Sequence, residues 1–85
     1  MLKQSPKSIL TWLIGNIAHE AELKPEEIDP KQPIFNYGVD SINIVLLANR
    51  LSIWLNREID ARLFYNSNSI EDLSALVFAE YDRRD

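Results

Sequence analysis

Three features of the 85-residue sequence predict an all-α fold with three main helices, one short helix and a long first loop. Apolar residues recur at helical spacing in three stretches, and no stretch sustains the period-two alternation of a strand. Three of the four prolines, Pro25, Pro30 and Pro33, fall together between the first two helices.

The first helix is expected to start at Ser5-Pro6. Serine is a good N-cap, and proline suits the first helical position because its missing N–H would have no intrahelical partner there. Leu10, Leu13, Ile14, Ile17, Ala18 and Ala21 make one apolar face. Gly15 costs roughly 1 kcal/mol relative to alanine, which that face can outweigh. The helix should end near Leu23, before Pro25.

Residues 24–39 admit no long regular element. Ile28, Ile34, Phe35 and Val39 are nevertheless apolar and evenly placed, so the loop is expected to pack on the core. A loop of about sixteen residues is unusual in a compact domain and hints at function.

The second helix is expected from Asp40-Ser41 to about Asn56, with no internal proline or glycine. Ile44, Leu47, Ala48, Leu51 and Leu55 share the predicted core face, with Trp54 at its edge. Ile42, Val45, Leu46 and Ile53 fall on the other side, around Asn49, so this helix is apolar on two faces. Ile59, Leu63, Phe64 and Tyr65 suggest a short helical turn from about Ala61, broken by Asn66-Ser67-Asn68. Ser69-Ile70-Glu71-Asp72 resembles a capping box, and the last helix should bury Leu73, Leu76, Val77 and Tyr81.

Composition narrows the function. The chain is read as one domain over residues 1–85, with a core at about 5–82. A chain this short buries only roughly 60–65% of its unfolded surface and has little room for an enclosed active site. The absence of cysteine excludes disulfides, thiolate metal sites and cysteine nucleophiles. The net charge of −4, with acids from Glu20 to Asp29 and from Glu71 to Asp85, argues against nucleic acid despite Arg83-Arg84. No apolar run approaches the ~20 residues of a membrane span, and Met1-Leu2-Lys3-Gln4 leads to no signal-peptide core. A soluble cytoplasmic domain, monomeric and without a membrane partner, is the expectation.

Catalytic constellations are sparse. A Ser-His-Asp arrangement would have to use His19, the only histidine, which reads as a solvated helical residue among Glu20 and Glu22. Metal-ligand spacing and a glycine-rich phosphate loop are missing as well, so no catalytic or metal residues are assigned. Ser41 differs. It stands at a helix start, where unpaired N–H groups and the positive end of the helix dipole converge and an anion on its oxygen would be held favourably. Gly38 lets the chain turn and approach closely just before it. From helix physics alone, a plain capping serine is the simpler reading.

"YGVDSI", residues 37–42, resembles the attachment motif of acyl carrier proteins, usually Gly-Leu-Asp-Ser-Leu. The segment from Ile9 to Leu51 resembles the first half of a polyketide-synthase carrier domain in its Trp-Leu pair, its Ile-Asp-Pro and its "IFNYG" aromatic. "EIDARLFYNSNSIEDLSAL" is similar to the second half. The resemblance covers about residues 9–79. It implies a four-helix carrier bundle that performs no bond chemistry itself. Ser41 would take 4′-phosphopantetheine from coenzyme A through a phosphopantetheinyl transferase, and the arm's thiol would carry acyl or polyketide intermediates as thioesters. Implied partners are that transferase, an acyltransferase or ligase, a ketosynthase and other synthase enzymes. Asp40 would position the motif and recognise the transferase, and Ile42 would stand for the usual leucine.

The resemblance has two departures. Many free-standing carriers have an acidic second helix, but here only Arg50 and Arg57 follow Asp40 before Glu58, and Leu46 stands where an acid is common. Docking through Ile42, Val45 and Leu46 is therefore expected to be more hydrophobic than ionic. Ser67-Asn68 replaces the usual Tyr-Pro, so that loop is expected to be looser. The alternatives are a peptidyl carrier, whose motif usually reads Gly-Gly-His-Ser or Gly-Gly-Asp-Ser, and a helical interaction module without a prosthetic group.

Overall fold

Each long helix begins where a short polar side chain can accept from the first unpaired N–H groups. The computed structural model describes residues 3–83; Met1 and Leu2, and Arg84 and Asp85 of the acidic tail, lie outside the described residues. Helix α1 spans Pro6–Ala21, α2 Ser41–Leu55, α3 Arg62–Asn66 and α4 Ile70–Asp82, and no strand occurs among the described residues. The fold is all-α, as predicted.

Ser5 caps α1 through a capping box with Ser8: each hydroxyl accepts the other residue's backbone N–H, at 3.1 and 2.9 Å. The helix stops at Ala21, slightly short of Leu23, because Glu22 turns left-handed at φ 57°. The Leu23 N–H then reaches the Ala18 carbonyl and the Glu22 N–H the His19 carbonyl, a Schellman closure. Asn56 at φ 53° ends α2 in the same way, with Arg57 N–H on the Ser52 carbonyl. At α4 the Ser69 hydroxyl accepts from Asp72 N–H, but Asp72 reaches back to Asn68 N–H rather than to the cap residue, so the expected box is shifted by one residue.

Ile44, Leu47, Ala48, Leu51 and Leu55 of α2 are all buried, as the periodicity predicts. The buried face of α1 is rotated from the predicted one: Ile9, Leu13, Ile17 and Ala18 are inside, while Leu10, Ile14 and Ala21 are half-buried. Two neighbours explain the rotation. Helix α1 lies closest to α4, and Trp12 stacks on Trp54 of α2 with ring centroids 5.6 Å apart. On α4, Ile70, Leu73, Ser74 and Val77 are buried, and Leu76 and Tyr81 are corrections, each only half-buried. Phe78 and Tyr81 pack at the edge of the core and leave Leu76 beside it.

The first loop packs down as expected, through Ile28, Ile34 and Val39, and contains two short 3₁₀ turns at Pro25–Glu27 and Ile34–Tyr37. Phe35 is the exception: it is 43% exposed, because on this turn Ile34 takes the inward position. The Tyr37 hydroxyl accepts from Asp29 N–H at 2.7 Å and so ties the second half of the loop back to its middle. The loop carbonyls of Gln32 and Pro30 accept from Ile70 and Glu71 N–H, satisfying the start of α4 from a distance in sequence. The segment expected to be looser is tied as well, by the Ser67 hydroxyl on the Phe64 carbonyl and by the Asn68–Asp72 bond.

Helix α3 is short and has no side-chain cap of its own, but Asp60 just before it accepts from the Arg62 N–H and guanidinium. Those hydrogen bonds hold the Asp60 carboxyl below its ordinary value. Its one fully buried side chain, Phe64, anchors it. Replacing Phe64 with alanine should destabilise the domain by about 3–5 kcal/mol, read from a urea melt followed by tryptophan fluorescence at the Trp12–Trp54 stack. Leu76→Ala should cost clearly less; an equal loss would contradict this placement of the core.

Candidate functional site

Two local features decide where α2 begins. Gly38, at φ 74°, lets the chain leave the 3₁₀ turn in a left-handed conformation. Asp40, in extended backbone, is the N-cap, and its carboxylate accepts Asn43 N–H at 2.9 Å. Val39 between them is buried and pins the junction to the core. The Ile44 N–H takes the Asp40 carbonyl as the first intrahelical bond. The N–H groups of Ser41 and Ile42 therefore precede the ladder and face the open end of the helix.

Ser41 is thus the first helical residue and not the cap. It is exposed, and its hydroxyl makes no hydrogen bond among the described residues. Every other serine is occupied. Ser5 and Ser8 share the capping box, and Ser52 donates to the Ala48 carbonyl while accepting from Ile59 N–H. Ser67 donates to Phe64, Ser69 caps α4, and Ser74 is buried with its hydroxyl on the Glu71 carbonyl. Only at Ser41 does an oxygen nucleophile of this type stand free at the surface with unpaired N–H groups beside it.

The predicted second apolar face of α2 is exposed. Ile42, Val45, Leu46 and Ile53 are 71, 53, 44 and 80% accessible. Ser41, Ile42, Val45 and Leu46, with Tyr65 of α3, line a groove of about 370 Å³. No charged side chain lines it. Arg50, further along α2, is paired with Glu20 of α1 at 3.0 Å, and Glu20 also accepts from the Asn43 side chain at 2.9 Å. Sequence reasoning missed this bridge and the placement of Tyr65, since both join residues far apart in the chain.

His19 is exposed on α1, and no hydrogen bond links it to Ser41. Among the described residues, no group of three or more His, Cys, Asp or Glu side chains could hold a metal ion, and no helix is long and apolar enough to cross a membrane. A phosphodiester on Ser41 fits what is present: an accessible hydroxyl, two N–H groups free to face an anion, and open space to one side.

The chain is similar to known proteins over most of its length. The family model described as phosphopantetheine attachment site matches residues 11–77. The chain is 31% identical over 74 residues to the acyl carrier protein TtuC of Teredinibacter turnerae, covering 87% of this chain and 85% of that protein. It is 27% identical over 71 residues to the polyketide synthase PksL of Bacillus subtilis, covering 84% of this chain. It is 40% identical over 50 residues to the highly reducing polyketide synthase ZEA2 of Gibberella zeae, covering 59% of this chain. The chain spans only 2% of the length of each of these synthases. No solved structure matches.

The cap at Asp40 is directly testable. Asp40→Ala should lower stability by about 1 kcal/mol, and Asp40→Asn should be nearly neutral, since asparagine caps as well as aspartate. Parallel urea melts check this, and an equal loss in both variants would show that the charge matters rather than the cap.

Proposed function

The chain belongs to the phosphopantetheine-attachment family, and on that premise we propose that Ser41 bears the 4′-phosphopantetheine arm and that the intermediates on it are polyketide chains. The family's group is covalent 4′-phosphopantetheine, and the chain is an acyl carrier that tethers intermediates of a biosynthetic pathway. The observation that carries the assignment is the state of the serines: within the matched segment, only Ser41 is both exposed and free of hydrogen bonds. The names of PksL and ZEA2 support the polyketide reading.

The bound arm supplies a terminal thiol on which an acyl group rides as a thioester. This chain's residues do the rest. In loading, a bond forms between Ser41 Oγ and the phosphorus of coenzyme A that bears the pantetheine. The pyrophosphate bond breaks, adenosine 3′,5′-bisphosphate leaves, and the serine proton passes to a base on the transferase. Asp40 holds the helix start so that Oγ points outward, and the Ser41 and Ile42 N–H groups favour the resulting negative charge. The domain presents its cargo to synthase enzymes, an acyltransferase or ligase and a ketosynthase among them, and makes no bonds itself. Ile42, Val45 and Leu46, with Asp40 at their edge, form the surface those enzymes meet. No charged side chain lines the groove that Ile42, Val45 and Leu46 share, so docking there is apolar.

Incubation with coenzyme A, magnesium and a broad-specificity transferase should add one phosphopantetheinyl group to the wild-type chain and none to Ser41→Ala, by intact mass. Addition that persists in Ser41→Ala would sink the assignment. Leu46→Glu should weaken productive contact with partner enzymes, whereas raising salt from about 50 to about 500 mM should have little effect, because screening acts on charge pairs and not on apolar contact. The opposite pattern in a steady-state loading assay would refute apolar docking.

A further inference from the structure

One wall of the groove beside Ser41 comes from outside α2. Tyr65 of α3 faces Ile42, Val45 and Leu46 across it. The ring is 51% exposed, and its hydroxyl makes no hydrogen bond among the described residues. It leans on Phe35 of the first loop, with centroids 5.4 Å apart and planes tilted by 35°. Phe35 is itself 43% exposed. Two large aromatic side chains, from segments distant in sequence, thus meet at the surface rather than in the core. A ring with two side-chain torsions, already braced by a neighbour, loses little freedom when something covers it, which is why such residues dominate binding energy at interfaces.

Geometry names what covers it. An enzyme that forms a bond to Ser41 Oγ must bring the reacting phosphorus within bonding reach of a residue that lines this groove. Its own surface therefore lies over the groove while it acts. No charged side chain lines the groove itself: the Asp40 carboxylate, outside it, caps α2, and Arg50 is held by Glu20. Shape and apolar contact remain as the means of selection.

We propose that Tyr65, braced by Phe35, is the contact by which the phosphopantetheinyl transferase that loads this chain recognises it, its ring covered by an apolar side chain of that enzyme. The inference rests on Ser41 being the loaded residue. Tyr65 is a specificity-determining residue and takes no part in the bond change, so its loss should appear in binding and not in the chemical step.

The test measures initial rates of arm addition to the intact chain at varied chain concentration, with coenzyme A, magnesium and a broad-specificity transferase. Tyr65→Ala should raise KM about tenfold or more, the effect expected of an interface anchor, with kcat and the melting temperature little changed. Tyr65→Phe should restore the wild-type KM, because the ring and not the hydroxyl makes the contact. Phe35→Ala should give an intermediate rise. A KM unchanged in Tyr65→Ala, or one raised equally in Tyr65→Phe, overturns the inference. So does a Tyr65→Ala chain whose only change is a lower melting temperature. No arm on the wild-type chain overturns the Ser41 assignment, and this inference with it; normal loading of wild type and Tyr65→Ala alike overturns the inference alone.

Discussion

The hydrogen bond from Asn43 N–H to the Asp40 carboxylate sets the position at which α2 begins, and the chemistry of the surface depends on that position. A helix that began one residue later would make Ser41 its cap and turn its hydroxyl inward onto backbone N–H groups. With Asp40 as cap, Ser41 is left without an internal task and its oxygen faces solvent. The junction is held from the other side as well. Val39 is buried, Gly38 supplies the left-handed turn, and Tyr37 closes the first loop onto Asp29. A packed and hydrogen-bonded loop thus delivers the helix start rigidly to the surface.

Helix α2 has two apolar faces with opposite fates. Ile44, Leu47 and Leu51 are fully buried, and each fully buried aliphatic side chain contributes about 1.5–3 kcal/mol by removal from water. Ile42, Val45, Leu46 and Ile53 gain little of this and remain an apolar patch on a small acidic domain. Patches of this kind mark places where another surface lands. The pairing of Arg50 with Glu20 strengthens the contrast, since it neutralises a charge that would otherwise flank the patch. Exposed ion pairs add little stability, roughly 0–1 kcal/mol, so the greater consequence of this one is for the electrostatics of α2.

Periodicity and capping residues made most of the fold legible. All five predicted core positions of α2 are buried, and α1 and α4 carry the caps that Ser5 and Ser69 announced, whereas at α2 the cap is Asp40 and not the serine that helix physics alone favoured. The errors share one cause. The rotation of α1 toward Ile9, the half-exposure of Leu76 and the outward Phe35 each depend on which neighbour packs against the element. A helical pattern locates an apolar face only to within about one residue, 100° of rotation, and contacts with other elements choose within that range.

The sequence by itself determined which segments are helical, the two-sided apolar character of α2 and the position of Ser41 at a helix start, because all three arise from side chains a few residues apart. It also carried the resemblance to the phosphopantetheine-attachment family. The tertiary structure decided which serines were occupied, that Glu20 would bridge Asn43 and Arg50, and that Phe35 and Tyr65 would meet beside the groove at Ser41. Those pairings join residues about twenty to thirty positions apart in the chain, and only the packing of whole helices brings them within a few ångströms.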